Sequence, residues 1–261
     1  MRALLITVAG LSSRFSKSLG MKCLKCIYYE KNPEESLLHR MVCQNQDFDR
    51  YIVVGGFLFE ELEDFINCYL SDFQDRIVLV ENGAYEEYGS GYSLYLGLRE
   101  AVRLECDELV FAEGDLYVDS ASFRKICDAR NNVITMNRES IEADKAVAFY
   151  YDGNRGIHYI YDTSHSVLEI REPFLGIYNS GQIWKFHDRE RLCSVFRSVR
   201  EEEWHGTNLV FIQKYFENLD SRSYLAVMLD VWINCNTVDD FRKIDGAISA
   251  ELLAGERKWI D

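Results

Sequence analysis

The sequence predicts an α/β fold: a mixed, mainly parallel central sheet flanked by helices, with a small β-rich subregion in the second half of the chain. Three observations carry this. Through residues 1–118, short uncharged aliphatic runs alternate with segments whose apolar residues recur every three or four positions, which is the pattern of βαβ units with right-handed crossovers. From Val133 onward, several short β-branched and aromatic runs follow one another, separated by turn signals such as Asp152-Gly153-Asn154. Finally, the 261 residues include only two prolines, no low-complexity tract and no repeat, so no linker is expected and the whole of 1–261 is read as a single domain of two halves, 1–118 and 119–261.

Taken in order, Leu4 to Val8 is an uncharged run suited to a central strand buried on both faces. The segment Glu35 to Gln44 places Leu37, Leu38, Met41 and Val42 at helical spacing, and Tyr51 to Val54, closed by Gly55-Gly56, reads as a second strand. An amphipathic helix over Leu58–Leu70, a strand over Arg76–Val80, a helix over Tyr92–Leu104 and a strand over Glu108–Ala112 continue the alternation, the last strand ending on Glu113-Gly114-Asp115. A helix is expected over Asp119–Ala129. Short meander strands follow over Val133–Met136, Ala146–Tyr151, Ile157–Tyr161 and Val167–Ile170, and Phe174–Tyr178 returns to the main sheet. Helices near Asp188–Val199 and Thr207–Glu217, a strand over Tyr224–Trp232 and a helix over Thr237–Leu253 complete the chain; Thr237 is the expected N-cap, with Asp239 and Asp240 in the first turn.

Composition narrows the function classes. Hydrophobic residues make up 48% and the mean hydropathy is -0.21, values of a globular chain, and no apolar run approaches the roughly 18 residues of a membrane span. Met1-Arg2 leads directly into the first strand, so no signal peptide and a cytoplasmic location are expected. The eight cysteines are scattered; only Cys23 and Cys26 have C-x-x-C spacing, with no second pair to complete a zinc site, and small core residues in a reducing compartment are the expected role. The net charge of -14 argues against a nucleic-acid surface. A small anionic ligand is still admitted, because the first 29 residues carry Arg2, Arg14, Lys17, Lys22 and Lys25 and no acidic residue.

That basic stretch surrounds a loop with a definite shape. After the first strand the side chains shrink at Ala9-Gly10, and Leu11, Ser12, Ser13 and Arg14 follow, so backbone N–H groups and hydroxyls can approach an anion closely. The three glycines of a dinucleotide-binding fingerprint and the G-K-[ST] of a Walker loop are both absent. What remains, V-A-G-x-x-S-R-F with Lys22 beyond it, resembles the A-A-G-x-G-S-R and Pro-Lys signature of the nucleotidyltransferases that make nucleotide-activated sugars and alcohols. Two further stretches extend the resemblance. Asn82, Tyr85, Tyr88 and Tyr92-Ser93-Leu94-Tyr95-Leu96 are similar to the N-x-x-Y-x-x-Y and Y-S-L-Y-L of phosphocholine cytidylyltransferases, and Trp232-Ile233-Asn234-Cys235-Asn236-Thr237-Val238-Asp239-Asp240-Phe241 to their W-x-x-I-D-T-x-E-D-L.

The resemblance implies a Rossmann-like nucleotidyltransferase fold with a nucleotide-binding half over 1–118, an acceptor-binding half over 119–261 and a metal motif at 232–241. It also implies Mg²⁺ dependence and a role in making activated precursors such as those of cell-surface polysaccharides. The expected substrates are a nucleoside triphosphate, CTP favoured, and a phosphorylated sugar or small alcohol such as phosphocholine; no nucleic acid or membrane partner is expected, and a homodimer is admitted. Arg14 and Lys22 are the expected catalytic residues, the first because its planar fork binds two triphosphate oxygens, the second as a mobile charge on the α-phosphate. Ala9, Gly10, Leu11, Ser12, Ser13, Arg14, Asn82, Ser90, Gly91 and Ser93 are the expected nucleotide contacts; Tyr92, Tyr178 and Trp184 the acceptor contacts; Asp115 and Asn236 the metal ligands.

The sequence departs from the family at Ser12 for the second glycine, Met21 for the proline, Gly89-Ser90 for two asparagines and Asn236 for an aspartate. The third leaves sugar phosphates and choline-like acceptors both open. The rival readings are a glycosyltransferase that uses a finished nucleotide-sugar, and a non-catalytic nucleotide-binding module.

Overall fold

The computed structural model describes residues 1–143, 146–160 and 167–257. Its strands are β1 (Arg2–Thr7), β2 (Arg50–Gly55), β3 (Ile77–Glu81), β4 (Glu108–Glu113), β5 (Leu116–Val118), β6 (Asn132–Asn137), β7 (Ala148–Asp152), β8 (Ile157–Ile160), β9 (Phe174–Phe186), β10 (Tyr224–Met228) and β11 (Trp232–Asn234). The helices are α1 (Ser13–Leu19), α2 (Leu37–Cys43), α3 (Phe59–Tyr69), α4 (Ser90–Arg103), α5 (Ser120–Asp128), α6 (Arg189–Ser198), α7 (Glu201–Trp204), α8 (Leu209–Phe216) and α9 (Val238–Arg257). Among the described residues, no helix is long and apolar enough to cross a membrane.

The central sheet runs β10-β6-β9-β4-β1-β2-β3. Strands β4, β1, β2 and β3 are mutually parallel, β9 is antiparallel to both β4 and β6, and β10 is parallel to β6. The mixed, mainly parallel sheet expected from the alternation is therefore present. Strand β1, flanked by β4 and β2 inside the sheet, shows why the first apolar run was uninterrupted: Ala3, Leu4, Leu5 and Ile6 are all fully buried. Leu5 joins a core with Leu94, Leu98 and Ile212 from α4 and α8, whereas Leu4 and Ile6 point the other way, to Val42, Leu62 and Ile66 from α2 and α3. A third cluster, with Phe15, Leu37, Tyr117 and Phe241, holds α1 against α9.

The second half differs from the expected meander. Only β7, β8 and the first part of β9 form the β-rich subregion; β6, β10 and the rest of β9 belong to the central sheet. Strand β9 is 13 residues long and not the five expected, because Asn179-Ser180-Gly181-Gln182 reads as a turn yet lies in the strand. It passes through a bulge, with Gln182 at φ 54° and a register shift against β6 between Ile134 and Met136. Across the sheet, Thr135 Oγ1 donates to Ile183 O at 2.7 Å and Asn137 Nδ2 to Ser180 O at 2.8 Å, while Asn179 Oδ1 is buried without a hydrogen-bond partner among the described residues. The strand expected at Val167–Ile170 is not formed, and Tyr161 and His165 lie outside the described residues.

The strand expected over Tyr224–Trp232 is two strands. Asp119 breaks it by accepting from Val231 N at 3.0 Å while capping α5 at Ser122 N, 2.8 Å. The chain then re-enters as β11, antiparallel to the short β5, with Asn234 opposite Leu116. This pairing sets the end of β11 beside the residues that follow β4.

Candidate functional site

A cleft of about 390 Å³ opens beyond the carboxyl ends of the parallel strands, where ligands of such sheets bind. One wall is the loop after β1, from Thr7 to Ser12. A second is formed by Asn82, Tyr85, Tyr88, Gly89, Ser90 and Ser93, and the floor by Glu113, Gly114 and Asp115, with Leu24, Lys25 and Cys26 closing the rim. Gly114 is required by close approach: its N–H donates to Thr7 O at 3.0 Å, and a Cβ there would lie 2.2 Å from Val8 Cγ1.

Within the loop, the N–H groups of Gly10, Leu11 and Ser12 have no acceptor among the described residues. Ser12, which replaces the family's second glycine, takes the left-handed conformation at φ 50°, ψ 29°, so the glycine-type backbone is kept and the serine bears its cost, on the order of 1 kcal/mol. Its hydroxyl oxygen accepts from Lys25 N at 3.3 Å and so ties the loop to the lysine segment. At a left-handed position glycine is favoured over alanine, so Ser12→Ala should be less stable than Ser12→Gly by about 1 kcal/mol in denaturant unfolding. Equal stabilities would mean that this loop does not hold the left-handed turn in solution.

Lys25 starts a single 3₁₀ turn, Lys25–Ile27, and is aimed inward because its neighbours Leu24 and Cys26 are buried on either side. Its Nζ donates to Asp115 Oδ2 at 2.6 Å and to Asn236 Oδ1 at 3.3 Å. The two expected metal ligands are therefore brought together, by the β5–β11 pairing and by a bond from Cys235 N to Asp115 O at 2.8 Å. Asn236 does not cap the final helix. Thr237 does, with Asp240 N donating to Thr237 Oγ1 at 3.2 Å and Thr237 N donating to Asp240 Oδ2 at 3.0 Å, which leaves the Asn236 amide oxygen facing Lys25.

The donor set suits a hard divalent cation. Asp115 Oδ1 is buried without a hydrogen-bond partner among the described residues, and Asp115 Oδ2 and Asn236 Oδ1 converge on one point. Among the described residues, no group of three or more His, Cys, Asp or Glu side chains could hold a metal by itself, so bound phosphate oxygens and water would have to complete the shell. Glu113 is the other carboxylate of the cleft. Burial, and next the charge of Asp115, push its carboxyl up to about 7, against the opposing pull of Asn208 Nδ2, which donates to Glu113 Oε1 at 2.7 Å, and of Lys25.

Of the other expected contacts, Ala9, Gly10, Leu11, Ser12, Asn82, Ser90 and Ser93 line the cleft, while Ser13 and Arg14 sit exposed in the first turn of α1 outside that lining. Asn82 is largely committed already: its Nδ2 donates to Ser93 Oγ at 3.0 Å and its Oδ1 accepts from Ala84 N at 3.0 Å. Gly91 is turned away. Its N–H donates to Gly206 O at 3.0 Å, and a Cβ would meet Trp204 O at 2.5 Å, so this turn packs against the 204–207 backbone with its donor spent. Lys22 is exposed and outside the lining, and Lys25 is the lysine that lines the cleft. The basic excess of the first 29 residues is likewise not gathered at the cleft: Arg2 pairs with Glu108 at 2.8 Å, at the start of β4 and the far end of the sheet.

The three expected acceptor residues are not brought together. Trp184 is fully buried, its indole N–H donating to Tyr159 Oη at 2.7 Å and its ring stacked on Phe111. Tyr178 packs on Phe149 and Tyr151 in the β7–β9 subregion. Tyr92 stands behind Tyr88, stacked on Trp204 with ring centroids 4.8 Å apart. Tyr85 and Tyr88 are the aromatics that face the cleft. Their signal was the N-x-x-Y-x-x-Y spacing itself, which puts both on the wall that begins at Asn82. Burial also raises the Cys23 thiol to about 11 and the Cys235 thiol to about 12, so both stay protonated, as core cysteines do.

The family described as a domain of unknown function, DUF6564, matches residues 21–248. The chain belongs to the DUF6564 family. No curated protein matches its sequence. Among solved structures, the DUF6564 chain is similar to the CTP:phosphocholine cytidylyltransferase of Streptococcus pneumoniae, with a TM-score of 0.66 and 16% identity over 95% of this chain and 99% of that one. It is also similar to a putative glucose-1-phosphate thymidylyltransferase of Bacillus anthracis, TM-score 0.66 and 12% identity over 95% of each chain. A third is the inositol-1-phosphate CTP transferase of T. maritima, TM-score 0.61 and 14% identity over 94% of this chain and 95% of that one. The DUF6564 chain thus has the Rossmann-like fold of the nucleotidyltransferases, as its motifs led one to expect.

Proposed function

We propose that this DUF6564 protein is a nucleotidyltransferase that joins the nucleotidyl group of a nucleoside triphosphate, CTP favoured, to a phosphorylated sugar or small alcohol and releases pyrophosphate. The observation that carries the reading is the convergence of Lys25, Asp115 and Asn236 at the mouth of a loop whose backbone donors are unspent. Such reactions need little covalent help, because positioning and charge neutralisation supply most of the acceleration.

In this reading the N–H groups of Gly10, Leu11 and Ser12 receive the triphosphate, and Arg14, exposed on α1 and unpaired among the described residues, reaches its outer phosphates. Lys25, in place of Lys22, neutralises the α-phosphate as the acceptor's phosphate oxygen attacks it. Asp115 and Asn236 would hold Mg²⁺, which when bound supplies charge neutralisation of the phosphates. Ser90 and Ser93 are the expected nucleotide contacts on the wall that begins at Asn82, and an acceptor would lie against Tyr85 and Tyr88 of that wall, above Glu113 on the floor. The use of CTP is supported by the names of two of the three structural neighbours.

Incubating the protein with each of the four nucleoside triphosphates, Mg²⁺ and a panel of phosphorylated sugars and alcohols should give acceptor-dependent pyrophosphate release with at least one pair. Nucleotide binding without release across the panel would favour a non-catalytic module.

A further inference from the structure

The metal position and the lysine are the same place. Lys25 Nζ lies 2.6 Å from Asp115 Oδ2 and 3.3 Å from Asn236 Oδ1, where a cation shared by those two oxygens would sit. We propose that Lys25 is the resident counter-cation of the divalent-metal position and that the ammonium and the metal ion occupy it in turn. The inference rests on the metal-dependent reading above.

The two oxygens are fixed and the ammonium is not. Asp115 begins the turn into β5, which is locked to β11, and Asn236 is held from both sides: its N–H donates to Asp240 Oδ2 at 3.2 Å, and its Nδ2 donates to Asn234 Oδ1 at 2.9 Å, so that Oδ1 is the end turned toward Lys25. Lys25 reaches them on a flexible four-carbon stem. The stem can swing away from Asp115 toward the cleft that its own residue lines.

Charge makes the occupancy exclusive. An ammonium at hydrogen-bond distance from both oxygens would stand within a few ångströms of a divalent ion bound to them, and at that separation like charges repel by several kcal/mol even with strong screening. The pair also holds only one formal negative charge, since Asn236 contributes an amide. Asp115 Oδ1, buried and without a partner among the described residues, is an acceptor that the ammonium leaves unused and a metal ion could take. When a nucleotide's phosphates are present they offer Lys25 another anionic partner and the metal further oxygens, so nucleotide and metal should each strengthen the other's binding by the same factor.

The test is a Mn²⁺ titration without nucleotide, followed by electron paramagnetic resonance, on the parent, Lys25→Met, Lys25→Gln and Lys25→Arg proteins, each first shown to be folded by circular dichroism. Removing the charge should tighten Mn²⁺ binding by at least about tenfold in Lys25→Met and Lys25→Gln, and Lys25→Arg should stay within about twofold of the parent. Adding Asp115→Asn to Lys25→Met should abolish the gain. Equal affinity in the parent and both neutral variants, or a gain that survives Asp115→Asn, overturns the inference. Failure of the underlying reading shows separately, as absence of acceptor-dependent pyrophosphate release by the parent with every nucleotide.

Discussion

Replacing Lys25 by alanine is expected to lower kcat by about a hundredfold or more with a smaller change in nucleotide KM, whereas Lys22→Ala leaves both within about twofold. The contrast follows from position. Lys22 is exposed beyond the cleft, while Lys25 is set inward by its buried neighbours Leu24 and Cys26 and faces Asp115. A charge that neutralises developing negative charge on the α-phosphate acts mainly in the transition state, which is why turnover should suffer more than binding. Steady-state kinetics on the two folded variants decides the matter. A loss confined to Lys22→Ala would return the role to that residue and remove Lys25 from the reaction.

The second large effect concerns stability. Trp184→Ala is expected to cost about 3–5 kcal/mol in denaturant unfolding, because a fully buried indole stacked on Phe111 leaves a large cavity and its hydrogen bond to the Tyr159 hydroxyl is lost as well. Trp184→Phe keeps most of the packing and should cost about 1–3 kcal/mol, chiefly from leaving the buried Tyr159 hydroxyl without that donor. A Trp184→Ala protein of near-parent stability with a raised acceptor KM would mean that Trp184 meets substrate after all.

These two residues mark what the sequence made legible and what it did not. The parallel half could be read because buried strands such as Leu4 to Val8 leave unbroken apolar runs while amphipathic helices such as Leu58 to Leu70 space their apolar residues three or four apart, and the cleft's place followed from strand polarity. Asp115 was legible as the carboxylate that ends a strand and Asn236 through the motif at 232–241, and the structure joins them through β5 and β11, each only three residues long. Which lysine enters the cleft was not legible. Lys22 and Lys25 have similar flanks in the sequence, and the difference lies in burial: Leu24 and Cys26 pack inward, while Met21 stays exposed.

The burial of Trp184 was hidden for a related reason. Aromatic type alone does not separate a binding wall from a core, and here Trp184 and Tyr159 satisfy each other's polar groups inside the sheet. The polar run Asn179 to Gln182 hid the length of β9: Ser180 O accepts from Asn137 on the neighbouring strand and Asn179 sits in register with Asn137 and Ala148, pairings that local composition does not reveal. Gly91 was misleading in the opposite way. A small residue can mark a site where a ligand comes close, but here it is the 204–207 backbone that does so.

The most direct measurement of the central claim is to follow two radiolabels through one reaction, using the nucleotide and acceptor pair that releases pyrophosphate. With α-³²P-labelled nucleotide the label should appear in a product that also contains the acceptor, and with γ-³²P-labelled nucleotide it should appear only in pyrophosphate, both dependent on Mg²⁺ and both lost in Lys25→Ala. Label from the γ position in the acceptor, or release of inorganic phosphate with no α label transferred, would contradict nucleotidyl transfer at this cleft.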